Sequence, residues 1–111
     1  MLNSPILSEM FEFLLKQYHI TMMQTDMDVF DENSKMETTI NVVFNNGVPK
    51  IHLSIVTQLM HLDIHILHRK SAEIDVFDYV VGELVYNYHN YFDNLEDLKQ
   101  VIIKAFSYIK I

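Results

Sequence analysis

Residues 60–70 read MHLDIHILHRK, and whether this stretch is strand or helix decides the fold. As a strand, Leu62, Ile64 and Ile66 point one way and His61, Asp63 and His65 the other, because successive side chains alternate across a pleated backbone. As a helix, His61, His65 and His68 share a face, but the aliphatic residues scatter around the wheel. The alternation selects the strand. Its neighbours agree. TTINVVF at 38–44 sets Ile40, Val42 and Phe44 against Thr39, Asn41 and Val43. NNG at 45–47 suits a hairpin turn, since asparagine and glycine tolerate positive φ. VPKIHLSIV at 48–56 returns with Ile51, Leu53 and Ile55 inward and His52 and Ser54 outward. Pro49 has no N–H to give and belongs at an edge or at the start of a strand.

Outward from this ribbon the period changes to that of helices. Ser4 and Pro5 form an N-cap and a first helical residue. The helix they open gathers Ser8, Glu9, Glu12 and Lys16 on one narrow stripe. Ile6, Leu7, Met10, Phe11, Phe13, Leu14, Leu15 and Tyr18 fill the remainder, a wider apolar arc than a surface helix needs. Either the sheet and another helix sandwich it, or it forms a dimer contact. From about residue 19, ITMMQTDMDVF suggests one irregular strand or two short ones, and DENSK at 31–35 a turn. Ser71 is placed to cap a second helix of about twenty residues, with Ile74, Phe77, Val80, Val81, Leu84, Val85, Tyr88, Tyr91 and Phe92 as its apolar arc. Asn94, with Asp97 three residues on, resembles a capping box. It starts a last helix with Leu95, Leu98, Ile102, Ala105, Phe106 and Ile109 on one face. The expected architecture is one α+β domain over 1–111, two-layer, in the order α-β-β-β(-β)-α-α, with an antiparallel meander packed on helices.

Composition narrows the function. Half of the 111 residues are hydrophobic, enough to build a core. There is no cysteine, which removes disulfides, thiolate metal sites and cysteine nucleophiles. The N-terminal stretch has no basic region and carries Glu9 and Glu12 inside its apolar run, unlike a signal peptide. No apolar run reaches about 18 residues, so no membrane span is expected and the chain is placed in the cytoplasm. The net charge is −7, with eight lysines and arginines together. A phosphate-backbone binder shows a basic footprint, so neither nucleic acid nor an anionic membrane is an expected direct partner. A basic protein is. Glycine, alanine, arginine and proline are scarce beside isoleucine, asparagine, lysine, tyrosine and phenylalanine, the residues of AT-rich codons used by low-GC bacteria and their phages.

Three kinds of site deserve weighing. His61, Asp63 and His65 project to one side of their strand at intervals of about 7 Å, and His52 on the neighbouring strand completes a candidate transition-metal set. The plainer reading is a solvated sheet face. A catalytic His–Asp pair lacks an activated serine and an oxyanion loop, and the two glycines, Gly47 and Gly82, allow no phosphate-cradling loop. Neither an enzyme nor a cofactor is expected. On the second helix, Asp75, Asp78, Tyr79, Glu83 and Tyr86 combine exposed tyrosines with charge, as interfaces do. Asp26, Asp28, Asp31 and Glu32 form a second acidic group and Asp93, Glu96 and Asp97 a third. Together they imitate the spacing of DNA phosphates.

The hairpin VVFNNGVPKIHLSI (42–55) and the segment VFDYVVGELVYNYHNYFDNLEDL (76–98) resemble, in architecture and composition, small phage-encoded anti-CRISPR inhibitors of type II-A systems. The chain is less acidic and more hydrophobic than those inhibitors, and its acids do not form one dense run. The same topology occurs in double-stranded-RNA-binding domains, whose basic face is absent here. The resemblance implies an inhibitor that occupies the DNA site of a host nucleic-acid-processing or defence enzyme. The resemblance carries over no contact residue; the tyrosine–acid face read from the sequence gives Asp75, Asp78, Tyr79, Glu83 and Tyr86 as the expected contact residues, assisted by Asp26, Asp28, Asp31 and Glu32. The alternatives are a homodimeric chaperone or immunity-type partner using the first helix, and a metal protein or small enzyme using His52, His61, Asp63 and His65.

Overall fold

The computed structural model describes residues 5–24, 37–45, 48–67 and 70–109. Its elements are α1 (Pro5–Gln24), β1 (Glu37–Asn45), β2 (Val48–Val56), β3 (Met60–Leu67), β4 (Ser71–Asp78), β5 (Glu83–Tyr91) and α2 (Leu95–Phe106). The strands form one antiparallel meander in the order β1-β2-β3-β4-β5. The fold class is the α+β expected from the sequence.

The alternation of β2 and β3 builds the core. Ile51, Leu53, Ile55, Leu62, Ile64 and Ile66 are all fully buried on one side. Each such side chain contributes about 1.5–3 kcal/mol relative to its exposed state. Leu7, Met10 and Leu14 of α1 and Leu98, Ile102, Ala105 and Phe106 of α2 cover them from the same side, with the helices touching each other, β2 and β4. The centre of the wide apolar arc of α1 is therefore buried within the chain itself. Asn45 pairs with Val48, the register that a two-residue connection gives. Pro49 lies opposite Phe44 but before the β3 ladder, which begins at Lys50, so its missing N–H interrupts nothing in that ladder. At the start of α2, Asn94 caps the helix: its Oδ1 accepts the Asp97 N–H at 2.8 Å, and its Nδ2 donates to Asp97 Oδ2 at 3.0 Å, a side-chain bond where a capping box would use the Asn94 backbone N–H.

Two sequence expectations are corrected. Helix α1 continues through Gln24, so residues 20–24 are helical rather than the beginning of a strand. Neither proline nor glycine interrupts the chain between Ile6 and Gln24, and a helix once nucleated propagates. The rest of that segment, 25–36, lies outside the described residues. The larger correction concerns 71–91, which form the hairpin β4–β5 rather than one helix. Ala72, Ile74 and Val76 are buried while Glu73 and Asp75 face out, a period of two. The pattern is concealed at its end, where Phe77 points outward and the acid Asp78 points in. There Asp78 organises a turn: its Oδ1 accepts the N–H groups of Val80 and Val81 at 2.8 and 3.1 Å, and its carbonyl accepts the Gly82 N–H at 2.7 Å. Gly82 takes φ +82°, where a side chain is strained. Valine, isoleucine, phenylalanine and tyrosine dominate the segment, and they suit a pleated, half-covered surface better than a helix.

Among the described residues, no helix is long and apolar enough to cross a membrane.

Candidate functional site

Because both helices lie on one side, no described element covers the other face of the sheet, and register decides what gathers there. The cross-strand row Asn41–His52–His65–Glu73–His89 lies beside the row Thr39–Ser54–Asp63–Asp75–Asn87. Among the residues whose side chains are described, four histidines, counting His61, and three carboxylates thus share the helix-free face.

At its centre His52 and His65, directly opposed, stack with ring centroids 4.2 Å apart and planes 10° apart. Both turn Nε2 to the same carboxylate: His52 reaches Asp63 Oδ1 at 2.6 Å and His65 reaches Asp63 Oδ2 at 3.0 Å. A carboxylate accepts only, so both nitrogens donate in these bonds. Partial burial pushes the Asp63 carboxyl up, but the bonds from His65 and His52 and the charge of the two rings outweigh it and hold it at about 2, below the ordinary 3.8. Among the described residues, the Nδ1 of His65 is buried without a hydrogen-bond partner. A ring that gives Nε2–H to Asp63 and is neutral keeps a bare lone pair at Nδ1.

A second cluster lies across β4–β5. Asp75 Oδ1 accepts from Asn87 Nδ2 at 2.7 Å, and His89 Nε2 lies 2.9 and 3.0 Å from the two Asp75 oxygens. His61 stands apart from both clusters, with its Nε2 3.0 Å from Ser54 Oγ.

Of the four metal candidates read from the sequence, His52, Asp63 and His65 come together and His61 does not. His68 lies outside the described residues, as do Asp26, Asp28, Asp31 and Glu32. The five contact residues assigned to a helix are dispersed by the hairpin. Asp75 is on the open face. Asp78 is buried in the turn, and Tyr79 and Glu83 are exposed at that end of the sheet. Tyr86 faces the helices and lies over Tyr108, with ring centroids 5.6 Å apart. Burial, then the neighbouring Tyr108 and Tyr88, raise the Tyr86 hydroxyl above its usual value. Sequence reasoning passed over His89 and Asn87 as site residues, and took Val80, Val81 and Leu84 for core. The alternation of YNYHNY at 86–91 carries the signal for the first pair, but only a hairpin register brings them to Asp75.

Comparisons of the chain with protein-family models, with curated proteins and with solved structures found no match.

Proposed function

We propose that the chain is a protein-binding domain acting by stoichiometric occupancy rather than by catalysis, with the β4–β5 turn and the adjoining acidic sheet face as its contact surface. The observation that carries this reading is the exposure of apolar side chains at one hairpin tip: Val80 76%, Val81 60%, Leu84 49% and Tyr79 46%. Scattered exposed apolar residues are ordinary, but a contiguous set in one turn is typical of a contact surface. Glu83 adjoins them, and the net charge of −7 sets the sign of the partner.

That partner is a basic cleft of the kind that holds nucleic acid. Carboxylates meet arginines that otherwise grip phosphates, while Tyr79 and the valines anchor the contact. The resemblance to anti-CRISPR proteins supports the narrower reading of a phage-derived inhibitor working in the cytoplasm on a host nucleic-acid enzyme. Titrating the protein into a DNA-cleavage reaction of a type II-A CRISPR nuclease tests it. Cleavage is expected to fall in proportion to added protein and to recover when Tyr79→Ala, Val80→Ser and Glu83→Lys are combined. Undiminished cleavage at large molar excess, with no complex on gel filtration, would remove that enzyme class as the target.

A further inference from the structure

We propose that His52, Asp63 and His65 form a binding site for a divalent transition-metal ion of the zinc type, independent of the protein contact at the β4–β5 turn. Convergence is the first argument. One ligating atom from each residue lies within 4.8 Å of the other two. Both imidazoles present the same nitrogen, Nε2, toward the same carboxylate.

Donor chemistry is the second. Two imidazoles and a carboxylate suit zinc and its first-row neighbours better than magnesium or calcium, which prefer all-oxygen shells. Around a tetrahedral zinc with bonds near 2.0–2.1 Å, ligand atoms lie ~3.3 Å from one another. The present separations of 2.6 and 3.0 Å are hydrogen-bond lengths, so an ion entering between them widens them by roughly 0.7 and 0.3 Å. A carboxylate is ionised at neutral pH, so only the imidazole protons must leave.

The backbone supplies the rigidity. All three residues sit on the central strands β2 and β3, each flanked on both sides by fully buried aliphatic residues: Ile51 and Leu53 beside His52, Leu62 and Ile64 beside Asp63, Ile64 and Ile66 beside His65. Sites held on strands are more exact than sites held on loops. Glu73, exposed and directly opposite His65, adds negative potential and leaves the remaining coordination positions to water. One feature lowers the affinity. A ligating histidine ordinarily gives its other N–H to an acceptor, and losing that acceptor weakens metal binding about 10–100-fold. His65 Nδ1 has none among the described residues.

The test is calorimetric titration of the EDTA-treated, dialysed full-length protein with zinc chloride, repeated with cobalt chloride while the visible absorbance is followed. Saturation at one ion per chain is expected, with a cobalt band of low-coordinate nitrogen–oxygen ligation. His52→Asn and Asp63→Asn are each expected to weaken binding by about tenfold or more, whereas His61→Asn and His89→Asn leave it unchanged. No saturable binding of zinc by the unaltered protein would overturn the proposal. So would binding that survives both His52→Asn and Asp63→Asn but is lost with His89→Asn.

Discussion

His52 and His65 lie face to face across the β2–β3 ladder and share one acceptor, the carboxylate of Asp63. Removing that acceptor strands two ring nitrogens at once. Hydrogen bonds to charged groups are worth about 1.5–3 kcal/mol when buried, and the partial exposure of this site reduces the figure. Asp63→Ala is therefore expected to destabilise the metal-free protein by about 1–2 kcal/mol in urea denaturation with EDTA present. Asp63→Asn, which keeps one acceptor oxygen, is expected to cost less. Equal midpoints for Asp63→Ala and the unaltered protein would mean that the pair contributes nothing.

The same carboxylate sets an acid limit. Its folded value of about 2 lies below the ordinary 3.8. A depressed value means that the folded state holds the ionised form more tightly, so the contribution is complete above 3.8 and is lost as pH falls from there through about 2. Urea midpoints of the metal-free protein and of Asp63→Asn are thus expected to converge across that window. A gap that widens on acidification would contradict the assigned sign.

The turn between β4 and β5 depends on two residues of opposite character. Gly82 has open space around the position of a Cβ, so Gly82→Ala meets only the backbone strain of φ +82°. The cost is about 1 kcal/mol. Asp78→Ala takes the acceptor from the N–H groups of Val80 and Val81 and is expected to cost about 1–3 kcal/mol, with Asp78→Asn recovering part of it. Thermal or urea unfolding of the three variants reads the order.

How much was legible depended on whether polarity and position agreed. In β2 and β3 every second residue is aliphatic, and the strand faces follow from the sequence alone. The capping pair Asn94 and Asp97 likewise marked α2. The hairpin β4–β5 escaped because Phe77 and Asp78 exchange the faces that their polarities suggest, and because Val80 and Val81, exposed in the turn, fall at helical spacing from Ile74, Phe77 and Leu84. The metal candidates were readable as a set of four. Which three converge depends on His52 facing His65 and Ser54 facing Asp63, a register that the sequence of a single strand does not carry.

The two faces of the sheet should respond very differently to truncation. Ile64 is fully buried between Leu53 of β2 and Ile74 of β4 on the helix-covered side. Ile64→Ala is expected to cost about 2–5 kcal/mol. Thr39, exposed on the open side of β1, should tolerate alanine within about 0.5 kcal/mol. Comparable losses at both positions would mean that the open face is covered.

The central functional claim is that an acidic domain seizes a basic, nucleic-acid-holding protein through the tip of β4–β5. It is tested most directly by capturing proteins from a low-GC bacterial lysate on two columns. One carries the unaltered chain and the other the combined Tyr79→Ala, Val80→Ser, Glu83→Lys variant, and both are eluted with DNA. A nucleic-acid-processing enzyme held by the first column, absent from the second and released by DNA is the expected result. Identical proteins on both columns, or retention that DNA does not disturb, would contradict the claim.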